Sequence, residues 1–105
     1  MIDPMLLVAV VRRARQGAVA QTLRALNLPG WTQSEVTGHG QAAGGHSVEH
    51  VRFEILIPGE RADECLNALA STAHTGGAGD GILFTTPVHR VLRVRDAGPS
   101  AGTQA

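Results

Sequence analysis

The sequence predicts an α+β fold in which a βαββαβ chain lays two helices on one face of a single sheet. Three observations predict it. The hydrophobic pattern switches twice between a strand period and a helical one. Each helical stretch ends on glycine or proline. At 105 residues the chain has room for one core only. That core is expected within residues 1–96, with 97–105 as a flexible C-terminal tail rich in Gly, Ser and Ala.

Met5–Val11 is a short apolar run rich in Val and Leu, which reads as a strand buried on both faces. Gln16–Leu28 has Val19, Leu23 and Leu26 at i, i+4 and i+7, one stripe of a helix, and Pro29-Gly30 stops it. Trp31–Thr37 is a second strand, and Gly38–His50, without apolar periodicity, is a loop. Val51–Ile57 alternates as a third strand does and ends at Pro58-Gly59. Arg61–His74 is the second helix, with Cys65, Leu66, Leu69 and Ala73 as its buried stripe. A glycine-rich turn, Thr75–Gly81, leads to a strand at Ile82–Thr86. Pro87 interrupts, and Val88–Val94 is expected as the last strand.

This order is two split β-α-β units, the ferredoxin-like arrangement. Right-handed crossovers put both helices on one side of the sheet. The other side is left bare, and self-association is the expected cover.

Composition narrows the function. Formal net charge is zero, which argues against a nucleic-acid partner. The single cysteine, Cys65, rules out an internal disulfide and a cysteine-rich metal site, and suits a reducing, cytoplasmic setting. Met5–Val11 is too short to cross a bilayer, and no small-residue cleavage pattern follows it, so neither secretion nor membrane insertion is expected.

The chemistry concentrates in Thr75-Gly-Gly-Ala-Gly-Asp-Gly81. Glycines allow positive φ and leave backbone N–H groups uncovered, and successive N–H groups make a concave anion site. Such a turn also serves as a plain helix-to-strand connection. Arg93 and Arg95 lie two apart on the expected last strand and so share a face, a fork suited to phosphate. On a solvated edge the same pair would simply face water.

Together these residues resemble the PII signal-transduction family. Thr75-Gly-Gly-Ala-Gly-Asp-Gly-Ile-Leu-Phe84, then Pro87-Val88 and Val91-Leu-Arg-Val-Arg95, are similar to its T-G-x-x-G-D-G-K-I-F signature, P-V strand and R-x-R ending. Gly30-Trp-Thr-Gln-Ser-Glu-Val36 before Gly38-His-Gly40 is similar to its G-x-T-x-x-E-V-x-G-x-G segment. The resemblance implies a homotrimer that binds an adenine nucleotide in each cleft between subunits. Gly79, Asp80 and Gly81 would hold phosphate, and Gly38 would also contact the nucleotide. Arg93 and Arg95 of the neighbouring subunit would close on it, and Thr32 would sit by the adenine. The effector loop, with His39, Gly40, Gln41, Gly44, Gly45, His46 and His50, would engage a target such as a membrane transporter or metabolic enzyme.

The chain also departs from the family's pattern. Ile82 stands where a phosphate-binding lysine is usual. The loop is short, and the chain has no tyrosine to modify. Gln41-Ala42 replace the Arg-Gln pair. With two cations missing, ADP or AMP is expected over ATP. The departures point toward the divergent relatives tied to bicarbonate systems or cation transport. An alternative function is metal sensing: His39, His46 and His50, spaced seven and four apart, could bind zinc, copper or nickel, although histidine is also an ordinary loop residue. No resident cofactor and no catalysis are expected. Cys65 falls on a buried stripe, and Asn27 and Asn67 do not fit the asparagine of an acylphosphatase-type site.

Overall fold

A computed structural model describes residues 3–40 and 47–97. The elements run β1 (Pro4–Arg12), α1 (Gln16–Ala25), β2 (Thr32–His39), β3 (Ser47–Pro58), α2 (Ala62–Ala73) and β4 (Gly81–Pro87). The strands form one antiparallel sheet in the order β2-β3-β1-β4. This is the α+β, ferredoxin-like architecture.

Strand alternation decides what each face does. Leu7, Ala9 and Val11 of β1 and Val51, Phe53, Ile55 and Ile57 of β3 point toward the helices and are buried. They meet Val19 and Leu23 of α1 and Cys65, Leu69 and Ala73 of α2. Complete burial of a side chain such as Phe53 contributes about 1.5–3 kcal/mol. The helices are tied to each other as well. The Thr22 and Thr72 hydroxyls lie 2.7 Å apart, and the Arg15 Nε donates to the Thr72 carbonyl at 2.9 Å, answering one of the orphan carbonyls at the end of α2.

Three boundaries differ from expectation. Helix α1 stops at Ala25 rather than Leu28 because Asn27 takes a left-handed conformation (φ +58°) and the Leu28 amide turns back to the Leu23 carbonyl. The segment expected as a loop over Gly38–His50 is strand at both ends: β2 and β3 stay paired out to His39 opposite Ser47, and residues 41–46 lie outside the described residues. The strand expected over Val88–Val94 does not form within the chain. The Val88 amide bonds the Pro4 carbonyl, where β1 begins, and beyond that point the chain has run past its partner. Val94–Asp96 is instead a short 3-10 turn.

The opposite sheet face carries Leu6, Val8 and Val10 of β1, Leu56 of β3, and Ile82 and Phe84 of β4. Val8, flanked by Glu54 and Phe84, is buried. Ile82 is 60% exposed and Phe84 is 41% exposed, so no element of the described residues covers this face.

Candidate functional site

Two clefts open on the bare face, one at each end. The first, about 370 Å³, is lined by Leu6, Pro29, Gly30, Trp31, Thr32, Glu54, Leu56 and Arg93. The second, about 260 Å³, is lined among others by Val10, Gly38, His39, Gly40, Val48, His50, Gly79 and Gly81. Leu6 and Val10 mark the two ends, about 13 Å apart at strand rise. The expected site residues are therefore divided. Thr32 and Arg93 stand at one end; Gly38, Gly79 and Gly81 stand at the other.

The glycine-rich turn is organised by Asp80. Its carboxylate accepts from the Thr75 amide at 2.8 Å, the Gly76 amide at 3.0 Å, the Thr75 hydroxyl, and the Arg12 Nε at 3.0 Å. The Thr75 hydroxyl also accepts from the Gly77 amide at 3.1 Å. These bonds, the one from the Thr75 hydroxyl foremost, hold the Asp80 carboxyl well below the usual carboxylate range. The Asp80 side chain is thus committed to the turn. So are the Thr75, Gly76 and Gly77 amides, which narrows the expected anion cradle. The amides of Ala78 and Gly79 donate to nothing among the described residues.

The glycines have local reasons of their own. Gly76 has φ +84° and Gly81 φ +106°, and a Cβ on Gly81 would stand 1.8 Å from the Val10 carbonyl oxygen. A Cβ on Gly77 would come within 2.6 Å of an Arg12 Nη atom, and one on Gly79 within 3.1 Å. The turn lies directly on the Arg12 guanidinium. Sequence reasoning missed Arg12, and the one available signal was its place at the end of a strand in Arg12-Arg13.

His50 is not a loop residue. It lies in β3, 6% exposed, with Nδ1 2.9 Å from the Val48 carbonyl and Nε2 2.8 Å from the Gly79 carbonyl. A carbonyl oxygen stands against each ring nitrogen, and a neutral imidazole donates to one of the two, so neither nitrogen faces open space for a metal in this arrangement. Gln41, Gly44, Gly45 and His46 lie outside the described residues. Among the described residues, no three His, Cys, Asp or Glu side chains gather as metal ligands do.

Arg93 and Arg95 do not share a strand face. Arg93 is extended and lines the first cleft, whereas Arg95 is in the 3-10 turn, 87% exposed, its Nε 3.5 Å from Asp96. In the same cleft Trp31 is held from two sides: its Nε1 donates to Gln33 at 3.1 Å, and the Arg24 guanidinium lies 5.6 Å from its ring centre. Glu54 and Leu56, not singled out from the sequence, complete the lining.

The family model for nitrogen regulatory protein P-II matches residues 5–98. The chain belongs to the P-II family. Nitrogen regulatory protein P-II of Pasteurella multocida (strain Pm70) is 31% identical over 99 residues, covering 83% of this chain and 88% of that protein. Nitrogen regulatory protein P-II 1 of Escherichia coli (strain K12) is 30% identical with the same coverage. Among solved structures, Arabidopsis thaliana PII bound to citrate superposes with a TM-score of 0.79 at 32% identity, covering 94% of this chain and 92% of that one.

Membership of P-II places the chain among regulatory proteins. Cys65 is buried in α2, and burial pushes its thiol up, away from the reactive thiolate. Among the described residues, no helix is long and apolar enough to cross a membrane.

Proposed function

We propose that this P-II protein is a trimeric regulator that binds an adenine nucleotide between subunits and signals through the Gly40–His46 connection to a partner protein. One observation carries the reading: the two groups of site residues lie at opposite ends of one uncovered face. A phosphate bound to the Gly79 amide is out of reach of Arg93 in the same chain, because the clefts are about 13 Å apart. A second copy packed on the bare face brings the Arg93 end of one chain against the Gly79 end of the next. Thr32 then travels with Arg93, so the adenine contact and the guanidinium come from one subunit and the turn from the other.

The chemistry of each half suits its share of a nucleotide. The first cleft joins the flat Trp31 ring and apolar Leu6 and Leu56 to a cation, Arg93, as a base with an anionic tail requires. The second offers backbone amides and glycine, as phosphate requires. ADP and AMP suit the site better than ATP, since Ile82 supplies no charge where the signature has a lysine. The partner is a transporter or metabolic protein met in the cytoplasm.

Calorimetry with AMP, ADP and ATP, beside sedimentation of the free protein, tests the proposal. Trimers that bind ADP or AMP more tightly than ATP support it. A monomer, or a trimer indifferent to all three nucleotides, refutes it. Arg93→Gln is expected to abolish most of the binding while leaving the trimer intact.

A further inference from the structure

Asp80 raises a problem for an anion site. A fixed carboxylate beside the only uncommitted amides of the turn repels any phosphate that approaches them. The described residues bring one guanidinium to that point. Arg12 sits on the same sheet face as Val10, and its Nε donates to Asp80 at 3.0 Å. Neither Nη atom meets an acceptor among the described residues. The side chain stays 30% exposed, and Gly77 and Gly79 are the residues that let an Nη atom come so near the backbone. Arg13 cannot substitute, being turned to the other side to meet Glu35 at 2.9 Å and Glu49 at 3.7 Å. His74 stands 3.8 Å from Asp80 but is 75% exposed, at the rim of the turn.

We propose that Arg12 is a phosphate-binding residue: its Nε neutralises Asp80, and its Nη edge takes a phosphate oxygen of a nucleoside diphosphate seated on the Ala78 and Gly79 amides. The inference rests on the nucleotide reading above and assigns a phosphate-binding donor at the turn, where Ile82 supplies none. A guanidinium can serve both anions at once because its five N–H donors form a rigid fork, and one bond uses one donor. The net charge of the Arg12–Asp80 pair is zero, so the preference for a diphosphate over a triphosphate stands.

The test is calorimetric titration of ADP and of adenosine into the wild-type protein, Asp80→Asn, Arg12→Gln and the double variant. If Arg12 touches phosphate, Arg12→Gln weakens ADP binding about tenfold or more even in the Asp80→Asn background. Adenosine affinity then stays within about twofold across the series. If Arg12 acts only by docking the turn through Asp80, Arg12→Gln adds nothing once Asp80 is gone, and the proposal is overturned. A wild-type protein that binds neither ligand sinks the nucleotide reading itself, and this role with it. Should the variants fail to fold, wild-type crystals soaked in pyrophosphate give an independent answer. A phosphate oxygen within about 3 Å of an Arg12 Nη atom supports the assignment, and a pyrophosphate bound elsewhere, or not at all, overturns it.

Discussion

His50 Nε2 stands 2.8 Å from the Gly79 carbonyl oxygen, joining the base of the β2–β3 hairpin to the glycine-rich turn across 29 residues of sequence. The same ring meets the Val48 carbonyl through Nδ1 at 2.9 Å. The imidazole therefore spans the two segments that must communicate if a ligand at the turn is to move the hairpin's tip. Gly38 makes room for it, since a Cβ there would lie 2.6 Å from His50 Nδ1.

His50→Ala removes both contacts and leaves two carbonyls near the bare face without this partner. A loss of about 1–3 kcal/mol in unfolding free energy is expected, measured by urea denaturation. Amide exchange at Ser47–Glu49 and Gly76–Asp80 should accelerate more than exchange in α1 and α2. Uniform acceleration across the chain would mean that His50 is general core packing and not a local latch.

Asp80 makes the turn's order dependent on pH. Its carboxyl is held below the usual range, chiefly by the Thr75 hydroxyl. A depressed folded-state pKa means that the unfolded chain takes up the proton first as pH falls. The stabilisation is complete above the ordinary aspartate pKa of about 3.9 and is lost as pH drops below that value. Wild type and Asp80→Asn should therefore differ most in stability near neutrality, and converge in acid. Denaturation curves at neutral pH and at several points below pH about 4 check this. A gap that stays constant into acid would show that the carboxylate's charge is not what orders the turn.

Gly81→Ala should be among the most damaging single substitutions at the site. The added carbon would overlap the Val10 carbonyl, 1.8 Å away, and φ +106° disfavours any side chain. Strain and overpacking together are expected to cost about 3–5 kcal/mol, enough to break the register of β4 against Val11. Gly30→Ala is the control, because nothing lies within 4 Å of the added carbon. Its effect on stability should stay within about 0.5 kcal/mol. Comparable thermal melts for the two variants would contradict this account of the turn.

The frame of the molecule was legible because strand and helix periods are local properties. Val51, Phe53, Ile55 and Ile57, or Cys65, Leu69 and Ala73, announce their buried face through spacing alone. What spacing does not carry is where two segments meet. His50 looks like one more loop histidine until β3 is seen to begin at Ser47 and the Gly79 carbonyl to lie against its ring. Arg12 looks like an ordinary strand end until the turn closes over it, 68 residues later in the chain. The glycines of the turn read from the sequence as an uncovered anion cradle, whereas in the fold Gly77 and Gly79 make room for Arg12 and Gly81 for the Val10 carbonyl. Val88–Val94 reads as a strand because Val91, Leu92 and Val94 are apolar; Leu92 is 73% exposed and Val94 89%, an apolar segment without a cover among the described residues.

That uncovered surface leads to a prediction about assembly. Ile82 and Phe84 are neighbours on β4, both on the bare face, in register with Val10 and Val8. They leave apolar area exposed that no other described residue covers, and burial at about 25 cal/mol per Å² favours association. Phe84→Asp places a charge on that face, on the edge strand β4 opposite Val8. Because the side chain points away from the helices, the fold of the single chain should survive, with far-UV circular dichroism unchanged. Sedimentation equilibrium should shift from the trimer to the monomer across the micromolar range. If the site is shared between copies as proposed, nucleotide binding should disappear in parallel. A Phe84→Asp protein that is monomeric yet binds ADP as tightly as the wild type would show that one chain completes the site alone.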